Sequence, residues 1–460
     1  MQTLHPAPMR NSIRYYAPAL TALLALATAT PALRAAEADD LKLLRDQIRS
    51  LEQKLLVLER KQEIKDEATA AAAPTTTTVA AGASGFSLNS GDKKFQLRVR
   101  ANVQADGRFF LGDEINGNDT FLIRRLRPSF EGTLGEKFAF RLMPDLAPSV
   151  FNLLDAYVTY THSTAFNVLV GKTKTPFDLE RLVSQTDLLF IERAYPTSLG
   201  PNRDLGVQLY GDVLDGRLTY QIAWQNGVAD NGTSITDTDD GKEVALRLFA
   251  HPFKNDPDSP LNGLGLGAAY SFGQKNTGAP AGYRTNAQQT FFSWRATVLS
   301  NGTHARFEPQ AYYYTGSLGL IGSWVSSRQE LTTSLTVPST EITNTAWYLA
   351  ANYVLTGEDA TYRGVTPAKN FNWTEGTWGA WEVAARYGQL EIDDAAFPVF
   401  ANLATSASRA DGLSLGVNWY LNRNVKASLN YETTDFTGGT TGPVTRETEQ
   451  ALLTRVQLRY

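Results

Sequence analysis

The amino-acid sequence predicts an all-β protein, a 16-stranded antiparallel transmembrane β-barrel preceded by a short helix. Side chains alternate between apolar and polar from Phe95 to Ala105, and they alternate again over the last ten residues, which end at Tyr460. Such alternation gives an extended strand two unlike faces. The segments run ten or more residues, and a tilted strand needs roughly 9–11 residues to cross the hydrocarbon layer of a membrane. A closed barrel is then required, because it alone pairs every backbone polar group of a sheet within lipid.

Sixteen candidate strands lie between Phe95 and Tyr460, an even number that is typical of porin-sized barrels. They are predicted near residues 95–111, 120–133, 136–145, 152–161, 165–175, 205–213, 216–226, 242–251, 263–272, 290–300, 303–315, 345–356, 378–390, 411–421, 424–435 and 451–460. Five tight turns alternate with longer loops, as in outer-membrane barrels. They are predicted at Leu134-Gly135, His162 to Thr164, Leu214-Asp215, Asn301-Gly302 and Asn422-Arg423. Two connections, 252–262 and 357–377, are too long for the end of the barrel that carries the tight turns.

The first 85 residues predict three further segments. Residues 1–36 have the positive n-region, apolar h-region and small-residue cleavage site of a secretory signal peptide. Residues 37–67 place apolar side chains at heptad a and d positions, which favours a self-associating periplasmic coiled coil over a helix that lies against its own barrel. Residues 68–85 are mostly Ala, Thr, Ser and Gly and predict a flexible linker. The barrel then occupies residues 86–460.

The composition excludes several classes of protein. No run of 18 apolar residues follows the first forty positions, so transmembrane helices are not predicted. The chain has no cysteine, which excludes disulfides, thiolate metal sites and cysteine nucleophiles. Its formal net charge of −4 gives no basic excess for binding nucleic acid. The four histidines form no pair with a nucleophile and no metal-ligand spacing, so we predict no catalytic residue, no metal and no cofactor.

Assigning the polar face of each strand to the lumen places more basic than acidic side chains inside the barrel. Four arginines on two adjacent strands carry this excess, namely Arg98, Arg100, Arg125 and Arg127. A guanidinium group is permanently charged and forked, which suits contact with phosphate and carboxylate oxygens, and rings of Arg or Lys make pores anion-selective. The pattern therefore predicts an anion path. The alternative interpretation is that the lumenal charges only pair with one another.

A long connection, residues 176–204, mixes apolar with charged side chains. An outer loop exposed to water should be more polar, so this loop is predicted to fold into the lumen and narrow it. Arg181, Glu192 and Arg193 then lie at the constriction. The alternative is a capping loop whose apolar residues pack a contact between subunits.

Motifs spread along the barrel resemble those of one family of outer-membrane proteins. The first set surrounds the long loop and comprises Val170 to Phe177, Glu192-Arg193, Pro201, Arg203-Asp204, Gly206 and Gly211. The second set comprises Tyr353 to Glu358, Gly379 to Glu382, Ala385 to Tyr387 and Asn418 to Asn422. From about residue 86 onward, the sequence resembles the phosphate-selective porin O and P family of outer-membrane anion porins.

The resemblance implies a homotrimeric porin of the Gram-negative outer membrane, not an enzyme, with outer-membrane lipid and small anions such as phosphate as its other partners. It also implies passive diffusion of phosphate or polyphosphate through an arginine-lined pore with an inward constriction loop, and it adds Lys174 and Arg203 as anion-binding residues at matching motif positions. Two alternatives stay open. One is a broader diffusion porin for sugars and organic acids, in which Trp324, Tyr312 and Tyr314 stack solutes. The other is a structural tether that links the outer membrane to the periplasm through the coil.

Overall fold

The computed structural model describes residues 31–72, 76–82, 85–112, 117–147, 151–237, 239–440 and 446–460. The chain divides into two compact units, residues 1–73 and residues 74–460. The apolar core of the predicted signal peptide lies outside the described residues. Residues 31–36, at the end of that predicted segment, are helical.

The first unit contains one helix, α1, over Pro31–Ala72. It extends beyond the predicted coil at both ends, and it takes in the alanines of the predicted linker because Ala has the highest helix propensity of all residues. Its heptad side chains from Leu44 to Leu58 are exposed and form an apolar stripe. Among the described residues, no helix is both long and apolar enough to cross a membrane.

The second unit is a closed, antiparallel barrel of sixteen strands, which confirms the predicted fold class. The described residues contain twenty strands, of which sixteen form the barrel, β1 and β2 extend its sheet, and β12 and β13 form a separate hairpin. The strands are β1 (Thr78–Gly82), β2 (Gly85–Asn89), β3 (Phe95–Leu111), β4 (Thr120–Leu134), β5 (Phe138–Asp145), β6 (Asn152–Ser163), β7 (Phe166–Lys174), β8 (Arg203–Val213), β9 (Leu218–Gln225), β10 (Glu243–Ala250), β11 (Leu264–Gly278), β12 (Tyr283–Arg284), β13 (Thr290–Phe292), β14 (Leu299–Thr315), β15 (Leu318–Thr332), β16 (Thr340–Val354), β17 (Ala380–Glu391), β18 (Ala407–Tyr420), β19 (Val425–Gly438) and β20 (Glu449–Arg459). Two short helices, α2 (Leu179–Leu182) and α3 (Pro196–Leu199), lie in the connection after β7, and a 3₁₀ turn covers Asp394–Ala396.

The barrel closes where the first and last of its strands meet. β20 pairs with β3 from Leu111 to Asn102, and β2 pairs with the rest of the same edge, from Val99 to Gln96. The hairpin β1–β2 therefore continues the sheet where β20 ends. This corrects the predicted flexible linker over residues 68–85, because Thr78–Gly82 is paired in full with β2. Strand pairing satisfies backbone groups that a free linker would leave to water.

The outward face of the barrel carries exposed apolar side chains. Val170 on β7, Leu248 on β10 and Leu349 on β16 are each more than half exposed, whereas the residues that alternate with them are buried. In a membrane, this face lies against lipid, and the burial of apolar side chains there replaces the core of a soluble protein.

The connections differ between the two ends of the barrel. Because the number of strands is even, the start of β3 and the end of β20 lie at the same end, which we call the terminal end. Four of the five predicted tight turns are found there, together with a tight turn at residues 316–317 that was not predicted. The two long connections, residues 251–263 and 355–379, also lie at the terminal end, as the sequence indicated. The opposite end, which we call the loop end, carries the connection after β7.

One predicted strand is wrong and one strand was missed. Residues 290–300 contain the short β13 and only the first two residues of β14, and Asn301 and Gly302 lie inside β14 rather than in a turn. The missed strand is β15, whose alternation is blurred because apolar Val325 faces inward while Arg328 faces outward. Trp324 also lies on the outward face of β15, so it does not reach solutes in the lumen.

Apolar loop residues pack inside the barrel near its loop end. Phe291 and Phe292 of β13 are buried against inward residues of the strands, among them Val325 of β15 and Ile342 of β16. This packing explains the apolar inward face of β15, since a lumen filled by loops is no longer lined by water. The open space that remains lies on either side of the connection after β7.

Candidate functional site

The connection between β7 and β8, residues 175–202, lies inside the barrel, as the sequence predicted. Phe177, Leu179 and Leu199 are fully buried, and they pack in two of the apolar clusters that the strands and loops share. An exposed loop of this composition would leave these side chains in water. Burial of several large apolar side chains therefore holds the loop in the lumen.

Strand side chains hold the backbone of this loop in place. Its carbonyl oxygens accept hydrogen bonds from side chains of seven strands that surround the lumen. The donors are Gln104 on β3, Lys174 on β7, Gln310 on β14, Arg386 on β17, Asn418 on β18, Lys426 on β19, and Arg455 and Gln457 on β20. Buried carbonyl groups are costly to leave unpaired, so this set of donors fixes the course of the loop across the lumen.

A β-bulge in β4 turns two consecutive arginines into the lumen. Gln104 of β3 faces Arg125 and Ala105 faces Ile123, so Arg124 has no partner residue across the ladder. A bulge inserts one extra residue and interrupts the alternation of faces. Both Arg124 and Arg125 therefore reach the same carboxylate, Glu192 of the inward loop, at 2.6 and 3.6 Å.

Glu192 is the hub of this arginine group. Arg108 and Arg455 also approach it, at 3.1 and 3.7 Å, so four guanidinium groups surround one carboxylate. Burial raises the pKa of Glu192, but the charges of Arg124, Arg125 and Arg455 outweigh burial and hold that pKa well below its usual value. Glu192 is therefore ionised at neutral pH, and the four arginines retain a net positive charge around it.

Two further arginines contact carboxylates of other strands, Arg127 one on the adjacent β5 and Arg203 one on β6, two strands away. Arg127 donates from Nε to Asp145 at 2.7 Å, and Arg203 donates from Nε to Asp155 at 2.8 Å. Within the described residues, Nη1 of Arg127, Nη2 of Arg203 and Nε of Arg125 have no hydrogen-bond partner although they are buried. A buried donor without a partner is costly, so these N–H groups point to a ligand or ordered water in the lumen.

These side chains line one cavity of about 360 Å³ on the loop-end side of the inward loop, which we call the arginine cavity. Seven arginines and two carboxylates line it, an excess of five positive charges. The charged residues are Arg124, Arg125, Arg127, Arg181, Arg193, Arg203, Arg284, Asp145 and Glu192. Charges close together in a site of low dielectric attract an oppositely charged solute strongly.

The structure brings six of the nine predicted site residues to this cavity and leaves three outside it. Arg98 and Arg100 lie on β3 toward the terminal end, and Arg100 pairs with Glu131 at 3.0 Å. Lys174 does not line the cavity, since its ammonium group donates to the carbonyls of Leu182 and Val183 and braces the inward loop.

Three contributing arginines were missed by the sequence analysis. Arg124 was assigned no role because an analysis that assumes strict alternation in β4 does not detect the bulge. Arg108 was assigned no role because its contact with Glu192 forms only in the folded chain. The adjacent pair Arg124-Arg125 was the one available signal, since two charges in a row interrupt an alternating pattern. Arg284 lies on β12, a strand that was not predicted.

A second charged group lies apart from the arginine cavity. Asp230, in the connection after β9, is buried and contacts Arg306 at 2.8 Å and His304 at 3.2 Å, both on β14. Arg306 also pairs with Glu243 of β10 at 3.0 Å. We call these four residues the Asp230–Arg306 network. Through these contacts, Asp230 anchors the connection after β9 to the barrel wall.

Comparisons with known proteins agree with this architecture. The model of the phosphate-selective porin O and P family matches residues 95–460. Porin O of Pseudomonas aeruginosa is 27% identical over 387 residues, which cover 75% of this chain and 84% of that protein.

Solved structures similar to this chain are outer-membrane proteins. The channel DcaP of Acinetobacter baumannii has a TM-score of 0.52 at 10% identity, over 80% of this chain and 97% of that one. The trimer form of OmpT of Vibrio cholerae has a TM-score of 0.50 at 11% identity, over 79% of this chain and 99% of that one. At such identities, the likeness shows the fold. The family match covers the whole barrel, so the chain belongs to the phosphate-selective porin O and P family, whose members are channels of the outer membrane and not enzymes.

Proposed function

We propose that this porin passes small anions, phosphate or polyphosphate among them, by passive diffusion through the arginine cavity. The observation that carries the proposal is the excess of five positive charges around a cavity in which buried guanidinium N–H groups lack partners. Phosphate offers the negative charge and the acceptor oxygens that these groups lack. The family match supports the same class of solute.

The arrangement of the arginines favours the passage of an anion over its tight binding. Arg125, Arg127 and Arg203 all line the cavity, and each is held by a carboxylate or amide partner of the chain. An anion that enters the cavity therefore replaces part of its hydration water by contacts with several guanidinium groups, and it can pass from one arginine to the next. Glu192 limits how tightly the anion is held, because its charge opposes the anion at the centre of the group. Release requires such a limit.

Ion currents through the purified protein in planar lipid bilayers test this function. In a gradient of KCl, we expect a reversal potential of the sign that shows chloride to be more permeant than potassium, and we expect millimolar phosphate to reduce the chloride current. Preference for potassium would overturn the anion path. Anion preference without an effect of phosphate would leave a general anion porin and exclude the phosphate site.

We infer that the barrel assembles as a homotrimer and that the α1 helices of the three chains pair as a periplasmic coiled coil. Support comes from the exposed stripe Leu44 to Leu58, which an isolated helix leaves in water, and from OmpT of Vibrio cholerae, which is known in a trimer form. We also propose that residues 1–36 are removed as a signal peptide.

The mass of the complex in detergent tests the trimer, and intact mass of the mature chain tests the cleavage. Deletion of residues 37–73 should loosen the trimer and leave the conductance of each channel intact. If the deletion leaves the trimer unchanged but detaches the outer membrane from the cell wall, the coil serves as a tether. A monomer in the full chain would contradict the homotrimer.

A further inference from the structure

A second cavity lies on the terminal-end side of the inward loop. Its volume is about 1010 Å³, and residues 182–184 of the loop separate it from the arginine cavity. Its walls come from the ends of β9, β10 and β14 and from the long connection 355–379. We call it the aromatic vestibule, because its lining includes Phe249, Tyr312, Tyr314 and Tyr362.

The rings of the vestibule are held in one arrangement by their mutual contacts. Tyr312 lies at the centre, stacked on Tyr362 with centroids 4.9 Å apart and an interplanar angle of 23°. Phe249 and Tyr314 contact Tyr312 at 5.2 and 5.3 Å. The hydroxyl of Tyr312 also pairs with Nε2 of His251 at 2.6 Å. Fixed rings beside open space form a surface on which a planar solute can stack without ordering the protein further.

The charge of the vestibule is positive and only partly compensated. Arg247 donates to Gln310 at 2.9 Å and to Gln221 at 3.1 Å, and both partners are neutral amides. Its guanidinium carbon lies 4.6 Å above the ring of Phe249. Lys254 and Arg363 also line the cavity, whereas the carboxylate that lines it, Asp187, is paired with Arg459.

His251 does not add to this charge. Burial, with the nearby charges of Lys254 and Arg247, lowers the pKa of His251 below its usual value, so the ring is neutral at pH 7. The histidine therefore orients Tyr312, and the arginines and lysine supply the positive charge.

Rings and uncompensated guanidinium charge together select one class of solute. A sugar would use the rings but not the charge, and inorganic phosphate would use the charge but not the rings. A monocyclic aromatic carboxylate uses both, with its ring on Tyr312 and Tyr362 and its carboxylate on Arg247. We propose that the aromatic vestibule is a second solute site, specific for monocyclic aromatic carboxylates, which such anions occupy on the terminal-end side of the inward loop.

This site does not depend on the proposed phosphate path, because the two cavities share no lining residue. The test measures how benzoate reduces the chloride current of the porin in planar bilayers. Cyclohexanecarboxylate serves as the probe with the same charge and no aromatic ring, and benzyl alcohol as the probe with a ring and no charge. We expect benzoate to act at about fivefold lower concentration than either, which corresponds to one favourable ring contact. Equal potency of the three probes, or no effect of benzoate, would overturn the proposal.

Variants separate stacking from structural effects. Tyr312→Leu and Arg247→Gln should each raise the half-inhibitory concentration of benzoate about fivefold and leave inhibition by phosphate unchanged. Tyr362 also donates to the carbonyl of Leu179 in the inward loop, so Tyr362→Phe keeps the ring and removes this brace, and it should retain the benzoate effect. Tyr353→Leu, on the outward face of β16, is the matched control and should match the parent protein. If Tyr312→Leu and Tyr353→Leu behave alike, the vestibule is not the site, whatever phosphate does in the same recordings.

Discussion

Buried arginines in the Asp230–Arg306 network and in the arginine cavity differ in how their donors are used. Arg306 has all five N–H groups satisfied, by Asp230, Glu243, Ser271, the carbonyl of Val228 and the ring of His304. Two carboxylates balance its charge. Arg125, Arg127 and Arg203 are almost as buried, yet each leaves at least one donor unpaired, and arginines outnumber carboxylates around them.

The difference separates two uses of one side chain inside a barrel. A guanidinium whose donors and charge are fully matched joins segments of the chain and offers nothing to a solute. A guanidinium with unpaired donors and an uncompensated charge costs stability, and it can recover that free energy from a passing anion. The four predictions that follow test this distinction, and the expected effects decrease from the first to the last.

Asp230→Asn should have the largest effect, and it should act on stability. Loss of this carboxylate leaves Arg306 with Glu243 as its one charged partner, and weakening the buried hydrogen bonds of Arg306 and His304 costs about 1–3 kcal/mol. The free energy of unfolding, followed by tryptophan fluorescence in urea with detergent micelles, measures the change. Asp240→Asn, at an exposed carboxylate of the same loop, is the control and should change that free energy by less than about 0.5 kcal/mol. If the two substitutions changed the free energy of unfolding equally, the structural role of Arg306 would be contradicted.

The double substitution Arg125→Gln and Arg203→Gln should act on selectivity. The carboxylates that contact these two arginines keep other arginine partners. Glu192 retains Arg108, Arg124 and Arg455, and Asp155 retains Arg141 at 3.4 Å. Each lost charge is worth about 1 kcal/mol to an anion nearby, so the permeability ratio of chloride to potassium should fall about 25-fold. Reversal potentials in a KCl gradient give this ratio. Arg328→Gln, on the outward face of β15, should leave the ratio unchanged. A double variant that keeps its selectivity would contradict the role of the cavity.

Glu192→Gln should raise the preference for anions. The substitution keeps the shape of the side chain and removes the negative charge at the centre of four arginines. We expect the permeability ratio of chloride to potassium to rise about fivefold and phosphate to block at lower concentration. Glu341→Gln, on the outward face of β16, is the matched control. A fall in anion preference would show that Glu192 acts by positioning the arginines and not by its charge.

Arg98→Gln should have the smallest effect, a change of less than about twofold in the same ratio. Arg98 lies on β3 beyond the arginine cavity, and charges in contact with water are screened over about 8 Å at physiological ionic strength. The reversal potential again measures the effect. An effect as large as that of Arg125→Gln alone would extend the anion path along β3 to the terminal end.

The barrel could be predicted from the sequence because alternation is a local property of each strand. β3 shows it from Phe95 to Ala105 and β20 from Arg455 to Arg459, and the strand count followed from such segments. β15 could not be predicted in this way, since Val325 on its inward face meets loop residues such as Phe291, which are distant in sequence. The count stayed at sixteen because the wrong strand at residues 290–300 replaced the missed one.

Site residues could be predicted where the alternation of a strand decides which side chains face the lumen. They could not be predicted where they depend on contacts with the inward loop. Arg125 and Arg127 follow from the phase of β4, and Arg203 came from the family resemblance. The hub at Glu192 depends on the course of a loop that seven strands hold by side-chain hydrogen bonds, and no local pattern encodes such contacts. Lys174 shows the converse, because a charge at a motif position can serve the loop backbone instead of the pore.

The bulge at Arg124 has a consequence for how such channels diversify. An inserted residue that is absorbed by a bulge leaves the residues on both sides in their original phase, so Leu126 and Phe121 both stay turned toward lipid. Deletion of Arg124 would have one of two results. Either the side chains of one half of β4 turn to the opposite face of the sheet, or the bulge disappears and regular pairing with β3 is restored. Single-residue insertions within a strand therefore offer an evolutionary route by which a channel gains one lumenal charge, without a change of strand number or a longer loop.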